Sequence, residues 1–268
     1  MSFYTSLSGL KNAQTGLNVV AHNIANAETN GFKRSRVEFA DIVGSSAATD
    51  PRMVQGIGST TEAIVQNFGI GPISQTGSTL DVAITGDGFF TTASATTGDK
   101  LFTRNGAFTI DENGYVHDGS DNRLQIFEPG ADPETDDPVS AQVPAVNGAG
   151  SEFAGLTIAS DGKITVSFAD GTNEELGTVA LATFIAPAGL KQVGSSNWQA
   201  SGISGEPSYG VPGEGAYGNL LSGALERSNV DIAEELVNLI TAQRYFQANA
   251  KAIDTASQIS QTIMNLRT

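Results

Sequence analysis

Apolar residues recur every seven positions at both ends of this 268-residue chain, and this repeat constrains the fold more than any other feature. A heptad pattern of this kind predicts a helix whose apolar stripe packs closely on another helix. At the amino end it predicts a helix over residues 3–27. The stripe there consists of Phe3, Leu10, Leu17 and Ile24, followed three places later by Ser6, Ala13, Val20 and Ala27. The opposite, polar face carries Asn12, Gln14, Asn18 and Asn23. An amphipathic helix packed on its own domain would show the same periodicity, so that alternative stays open.

A second long helix is predicted from about Asp231 to Leu266. Ser228 and Asn229, followed by Asp231, form a good signal for its amino-terminal cap. At about 35 residues it would be roughly 50 Å long, which is more than the middle of the chain can easily cover. We therefore expect the two helical ends to pair with each other and with further copies of the chain. The carboxy-terminal stripe consists of Leu225, Ile232, Leu239, Phe246, Ile253, Ile263 and Leu266.

Between the helices the pattern changes to short runs of alternating apolar residues, which predicts an antiparallel β domain. Asp-Gly and Asn-Gly pairs separate several of these runs and supply the positive φ angles of tight hairpins. The candidate strands are 63–68, 80–84, 88–92, 101–103, 107–110, 115–117, 124–127, 156–158, 164–168 and 178–184. The stretch 128–150, rich in proline, aspartate and glycine, is predicted to be an exposed excursion.

These elements predict an α+β fold in five segments. Long amino- and carboxy-terminal helices form a coiled-coil layer, and the antiparallel β domain lies between them in the chain. The segments are 1–43 (helix and extended stretch), 44–74 (a loop to about residue 61, then the first strand), 75–200 (β domain), 201–224 (a glycine- and proline-rich linker) and 225–268 (second helix).

The net charge of −15 resides almost entirely in the middle of the chain, because residues 1–44 sum to +1 and residues 225–268 to −1. Nucleic-acid binding needs a basic face, so we expect no nucleic-acid partner. The absence of cysteine excludes disulfides and thiolate metal sites. The first residues lack the regions of a cleaved leader, and no run reaches the ~18 apolar residues of a membrane span.

No set of residues has the spacing of a catalytic or metal site. His22 and His117 each lack a second histidine at ligand spacing, and the acidic turns 111–114 and 118–122 do not fit a calcium loop. The sequence therefore predicts a structural subunit with no cofactor, no metal and no small-molecule substrate. Two rival classes remain open: a wall hydrolase that uses two carboxylates, and a secreted adhesin.

Three groups of residues, in this order along the chain, resemble the motifs of the bacterial flagellar rod and hook axial proteins. The first is Asn23, Ile24, Ala25 and Asn26 followed by Thr29, Asn30, Gly31, Phe32 and Lys33; the second is Leu80, Asp81, Gly86, Gly88, Phe89 and Phe90; the third is Ser228, Asn229, Gln243 and Arg244 with the residues around them. The chain departs from the family at His22, where an asparagine is usual.

This resemblance implies a subunit that polymerises into a helical tube around an export channel and transmits torque. The terminal helices would form the inner layer, with the β domain outside. The implied partners are further copies of the chain, the neighbouring rod, hook and hook-junction proteins, and the flagellar type III export apparatus. The implied location is the hook and basal body, reached without a cleaved leader. Residues 44–74 would decide whether the tube bends.

Two members of the family fit the chain. Residues 2–10, the region of Trp198 and the end at 265–267 are similar to hook proteins, and on these we favour a short hook protein. The short chain is more typical of a distal rod subunit, which is the alternative, because hook proteins usually insert extra outer domains.

Overall fold

The computed structural model describes residues 2–44, 55–133 and 135–265, and its fold is a mixture of helix and antiparallel sheet. One helix lies at each end of the chain, and the β structure lies between them in sequence. The chain divides into two compact units. The helical unit comprises Met1–Ala27, Arg34–Asn67 and Val230–Thr268, and the β unit comprises Glu28–Lys33 and Phe68–Asn229.

The helical unit contains two helices and a two-stranded ribbon. Helix α1 spans Ser2–Ala25 and helix α2 spans Ile232–Asn265. Strands β1 (Ser35–Gly44) and β2 (Gln55–Gln66) pair antiparallel, with two register shifts that mark bulges. Helix α1 packs against α2 and along the ribbon.

Helix α2 begins where the sequence places its cap. The Asp231 Oδ1 atom accepts hydrogen bonds from the Ala233 and Glu234 amides at 2.8 and 3.2 Å. These are two of the amides that have no partner inside the helix. Glu234 and Glu235 occupy the first turn, where negative charge complements the helix dipole.

The heptad pattern was wrong at one residue, Leu225. The pattern predicts it on the second helix, but it is buried in the strand Ala224–Glu226, which pairs with the strand Ile73–Gln75 in the β unit. A seven-residue spacing from Ile232 cannot reveal that the helix begins only after Asp231. Leu266 lies outside the described residues.

The β unit contains seventeen strands in the described residues, and every pair among them is antiparallel. The strands are β3 Ile73–Gln75, β4 Val82–Thr85, β5 Phe89–Ser94, β6 Lys100–Thr103, β7 Thr109–Ile110, β8 Val116–His117, β9 Asn122–Phe127, β10 Val139–Ser140, β11 Phe153–Ile158, β12 Lys163–Phe168, β13 Asn173–Val179, β14 Leu181–Thr183, β15 Lys191–Gly194, β16 Asn197–Gln199, β17 Ser208–Gly210, β18 Asn219–Ser222 and β19 Ala224–Glu226. The longest path of neighbours runs β11-β12-β13-β9-β5-β6-β16-β15, and two small ribbons pair β18 with β4 and β19 with β3.

Two apolar clusters form the core of the β unit, and strand β5 contributes to both. Phe90 points into the larger cluster, while Phe89 belongs to the smaller one with Trp198. Successive side chains of a strand point to opposite faces, so two consecutive phenylalanines can serve two clusters. Trp198 is fully buried, with edge-to-face ring contacts to Phe68 and Phe89.

Two segments predicted to be loops contain paired strands. Residues 55–61 belong to β2, with Ser59 bonded to Asn12 of α1. The linker predicted over 201–224 contains β17 and β18 and the start of β19. A Cβ on Gly86 would lie 2.7 Å from the Gly218 Cα atom, so two glycines here permit a close backbone approach beside the β4–β18 ribbon.

The predicted excursion over 128–150 is only partly exposed, and Glu134 within it lies outside the described residues. Strand β10 pairs with β9, and Ala141 and Val143 are buried in the larger cluster. Because the stretch is polar overall, the sequence did not indicate that these two residues belong to the core. In the described part of the chain, neither helix combines the length and the apolarity needed to cross a membrane.

Candidate assembly surface and the ion-pair clusters of the two units

The predicted packing stripes of α1 and α2 are only partly covered within one chain. Most of their residues are partly buried: Leu10, Leu17, Val20, Ile24, Leu239, Phe246 and Ile253. The stripe ends at Phe3, Ile232 and Ile263 are exposed, by 44%, 45% and 60%. Gly9 permits the close approach of α1 to α2, because a Cβ there would lie 2.6 Å from the Asn249 Oδ1 atom.

Helix α2 carries further apolar surface outside the stripe that the heptad pattern predicts. This outer face, defined as Leu236, Val237 and Ile240, is exposed by 46%, 63% and 50%. Its residues lie beside the Ile232–Leu239 stripe and widen it, so the first turns of α2 carry one broad apolar arc, and Glu234, Glu235, Asn238 and Thr241 occupy the rest of the circumference. The apolar arc of a helix normally packs against a neighbour. Exposed apolar surface of this extent marks an interaction site, and the signal was present in the sequence at spacings of three and four.

Asn23, predicted to lie on the polar face of α1, is instead buried at the centre of a hydrogen-bonded cluster. Its Nδ2 atom donates to the Ser35 carbonyl at 2.8 Å and to Glu235 Oε2 at 3.1 Å, and its Oδ1 atom accepts from the Ser35 amide at 2.9 Å. One side chain of α1 therefore bonds to both β1 and α2. This explains why an asparagine can occupy a buried position here.

Arg34 completes this cluster from the strand side. It forms ion pairs of 2.8 Å with both Glu234 and the buried Glu235 of α2. Partial burial alone would lower the pKa of Arg34, but the hydrogen bond and the charges from these two glutamates raise it above the usual arginine value. The cluster ties the start of β1 to the first turn of α2.

A second cluster, inside the β unit, is built on Lys33. Its Nζ atom lies 2.5 Å from Glu226 Oε1 and donates to the Gly69 carbonyl at 2.9 Å, with both charged side chains fully buried. Glu226 also accepts from the Gly71 amide at 2.8 Å and lies 3.4 Å from the Arg104 guanidinium. Burial lowers the pKa of Lys33 although Glu226 opposes that shift. Burial likewise lowers the pKa of Arg104.

The turn before Lys33 needs glycine at position 31. Gly31 has a φ angle of +68°, and its amide donates to the Glu226 carbonyl at 2.8 Å. A Cβ atom there would lie 2.5 Å from the Asn105 amide nitrogen, which is backbone and cannot swing away. The turn therefore packs directly against the backbone at Asn105 in the β unit.

Replacing Gly31 with alanine should therefore destabilise the β unit more than replacing Gly77. Gly77 has a φ angle of +78°, and no atom lies within 4 Å of the position that a Cβ would take there. Both variants suffer the left-handed backbone penalty of ~1–2 kcal/mol. Only Gly31→Ala adds overpacking, of about 1–3 kcal/mol. Denaturant unfolding followed by Trp198 fluorescence measures the difference, and equal losses would contradict the close approach.

The other motif residues occupy varied environments. Ser228 is buried, and the Asn229 Nδ2 atom donates to the Gly69 carbonyl at 3.1 Å. Leu80 packs on the larger apolar cluster, and the Asp81 carbonyl accepts from the Gly223 amide. Of the remaining motif residues, four are exposed, two are partly buried and two are buried. The exposed ones are Ala25, Thr29, Gln243 and Arg244, the partly buried ones Asn26 and Gly86, and the buried ones Phe32 and Gly88.

The aspartates of the acidic turns accept hydrogen bonds within the β unit, mostly from the backbone amides of their own turns. The Asp118 carboxylate accepts from the Ser120 and Asn122 amides and from the Asn197 side chain. Asp111 likewise accepts from the amides of its own turn at 2.7–2.9 Å. Across the described residues, no three histidine or acidic side chains form a group that could hold a metal ion.

Three family models match the chain in order. They are described as flagella basal body rod protein (residues 3–33), flagellar hook protein FlgE/F/G D1 domain (83–166) and flagellar basal body rod FlgEFG protein C-terminal (221–266). Together they take in α1 with its turn, much of the β unit and α2.

Individual relatives match over almost their whole length. The flagellar basal-body rod protein FlgG of Bacillus subtilis is 37% identical, covering 99% of this chain and 98% of the relative. The same protein of Borreliella burgdorferi is 32% identical over 99% and 98%. The flagellar hook protein FlgE of Salmonella typhimurium is 26% identical with full coverage of both chains. These relatives are structural proteins and not enzymes, and the chain belongs to the flagellar rod and hook protein family.

Proposed function

We propose that this chain is a distal rod subunit that polymerises through its helical unit into a tube around an export channel and transmits torque. The observation that carries the proposal is the apolar outer face of α2, whose three neighbouring apolar side chains are exposed in the single chain. A soluble monomer gains nothing from leaving such a face in water, whereas a polymer buries it.

The helical unit would form the inner layer of the tube. Its stripes at Phe3 and Ile263 are open at their ends, so neighbouring copies can continue the helical packing that α1 and α2 begin. In the assembled tube we expect α1 and α2 of successive copies to form a coiled-coil layer. The acidic β unit would then face outward, because its charge is best placed in water.

The choice of rod over hook rests on length. The alignment with the Salmonella hook protein extends over 414 positions, which is 146 more than this chain has residues. The alignment with the Bacillus rod protein needs only 279 positions. A chain with room for no large outer insertion suits the rod better. The second candidate is a short hook subunit, which the similarity of residues 2–10 and of the Trp198 region favours.

Residues 44–74 are the proposed determinant of stiffness. Strand β2 within this stretch exposes Ile57 and Ile64, so it can contact neighbouring copies. Contact there would lock adjacent copies and stiffen the tube. Cross-linking or truncating residues 44–74 should change the bending of the tube, and unchanged bending would refute their role.

The remaining partners follow from this assignment. We propose that the chain meets neighbouring rod, hook and hook-junction proteins at the ends of its tube. We also propose that it passes unfolded through the flagellar type III export apparatus. Electron microscopy of the native assembly tests rod against hook, since a straight tube supports the rod and a curved tube supports the hook.

Placing a charge on the outer face of α2 should block assembly. In the full-length chain, Val237→Asp is expected to raise the critical concentration for tube formation at least tenfold, a change of ~1.4 kcal/mol per contact. The helix should remain folded, because Val237 is exposed in the single chain. Sedimentation and electron microscopy give the readout. Asn18→Asp, at an exposed position on the polar face of α1, adds the same charge and should assemble normally.

A further inference from the structure

A cavity of about 320 Å³ lies within the β unit, at the edge of the smaller apolar cluster. Three phenylalanines line it, with Phe89 in the middle. The Phe89 ring makes edge-to-face contacts with Phe68 and Phe184, at centroid distances of 5.3 and 5.9 Å. Ligand pockets in proteins are of this size or larger, and they combine an apolar, often aromatic lining with a few placed polar groups. The volume and the lining of this aromatic pocket therefore suit a small molecule.

Arg104 supplies the first polar group of the aromatic pocket. Its side chain is 98% buried, and its guanidinium carbon lies 5.2 Å from the centroid of the Phe89 ring. In the described part of the chain, the guanidinium makes a single hydrogen-bond contact, of 3.4 Å, to Glu226, and its buried Nε atom has no partner. Glu226 in turn lies closer to Lys33, at 2.5 Å.

A buried guanidinium with so few partners is unusual, because buried polar groups are nearly always hydrogen-bonded. Its N–H donors form a planar fork that matches the two oxygens of a carboxylate. A carboxylate in the aromatic pocket would supply the acceptors that Arg104 lacks in the single chain.

Asp87 supplies the second polar group and narrows the class of ligand. Its side chain is exposed, and it lines the same pocket. Burial lowers the pKa of Arg104, and the negative charges of Glu226 and Asp87 oppose that shift, so Asp87 lies near enough to interact with the guanidinium. A ligand with only a carboxylate would be repelled by Asp87. A ligand that carries an ammonium beside its carboxylate is attracted by both groups.

We propose that the aromatic pocket binds a free α-amino acid with an apolar side chain. Arg104 binds the carboxylate, Asp87 binds the ammonium, and the phenylalanine rings bury the side chain, which is favourable by hydrophobic transfer. All the lining residues belong to the β unit of one chain. Binding therefore requires no second copy, and it is independent of the proposed polymerisation.

The test uses the full-length chain with L-phenylalanine as the probe and the emission of Trp198 as the readout. The Trp198 ring contacts both Phe68 and Phe89, so a ligand in the pocket changes its surroundings. We expect a saturable change with a Kd of about 1 mM or tighter, the range for a ligand of this size. Phenylalanine amide lacks the carboxylate and N-acetyl-phenylalanine lacks the ammonium, so each should bind about tenfold more weakly or worse.

Three variants test the pocket from exposed positions, where folding is not at risk. Asp87→Asn should raise the Kd of L-phenylalanine about tenfold while the denaturant midpoint stays that of the parent. Ala216→Phe places a ring at an exposed lining position and should abolish the saturable change. The matched control is Asp99→Asn, an exposed aspartate of the β unit outside the pocket, which should bind like the parent.

The outcomes that contradict the proposal are equally specific. No saturable change in Trp198 emission at about ten times the expected Kd would overturn binding. Equal Kd values for L-phenylalanine, its amide and its N-acetyl derivative would overturn recognition by the paired charges. Equal weakening by Asp99→Asn would overturn the role of Asp87, since loss of any negative charge would then suffice.

Discussion

The Glu226→Leu variant is expected to lose about 3–5 kcal/mol of unfolding free energy, the usual result of breaking a buried ion pair from one side. It leaves Lys33 fully buried without its counter-charge and removes the nearest carboxylate from Arg104. The Gly71 amide loses its acceptor as well. Denaturant unfolding followed by fluorescence measures the loss, because Trp198 is the single tryptophan and lies inside the same unit.

The destabilisation should shrink as the pH rises. The pKa of Lys33 is already lowered by burial, and without Glu226 it falls further. The penalty of a buried ammonium is then full below that lowered pKa and is relieved between it and the unfolded value of 10.5. In this window the unfolded chain binds more protons, so stability rises with pH.

Two further variants distinguish the buried pair from a surface pair. Lys33→Met combined with Glu226→Leu should be less destabilised than the sum of the single changes, because neither charge is then left alone. Glu234→Leu removes a half-exposed partner of Arg34 and should change stability by less than about 1 kcal/mol. Additive losses in the double variant would contradict the assigned pairing.

Deleting residues 2–25 should abolish tube formation while leaving the β unit folded. The deletion removes α1, and with it the Asn23 bonds that link β1 to α2. It retains Gly31 and Lys33, whose partners all lie in the β unit. Electron microscopy and sedimentation should therefore find no tubes, and the Trp198 unfolding midpoint should match that of the parent.

A longer deletion supplies the control. Removing residues 2–33 takes away Lys33 and the Gly31 turn as well, so it should also destabilise the β unit. Tubes formed by the shorter deletion would contradict a helical assembly layer. An adhesin would behave differently, since its binding should survive the loss of α1.

The local patterns of the chain were sufficient for much of the fold. Asp-Gly and Asn-Gly pairs delimit several strands because a tight hairpin needs positive φ angles, which is a property of adjacent residues. The heptad repeats located both helices to within a few residues, and of the three residues in the cap signal, Ser228, Asn229 and Asp231, it is Asp231 that caps α2.

The two ion-pair clusters could not be predicted. Lys33 and Glu226 are 193 residues apart, and Asn23 and Glu235 are 212 residues apart. Each of these side chains is of a type that is usually exposed, so residue type alone predicts that all four lie at the surface. The free-energy cost of burying such a side chain is offset only when folding brings its hydrogen-bond or ion-pair partner next to it.

The sequence alone determined the two helices, many of the strands and turns between them, and the family to which the chain belongs, because these follow from neighbouring residues and short motifs. Only the tertiary structure decided that glycine-rich residues 201–224 form paired strands, that Leu225 belongs to the β unit, and that Lys33 and Asn23 are buried. The reason is physical. A backbone amide or a charged side chain can be buried only where a partner satisfies its hydrogen bonds or charge. When that partner is distant in the sequence, only the fold brings it near.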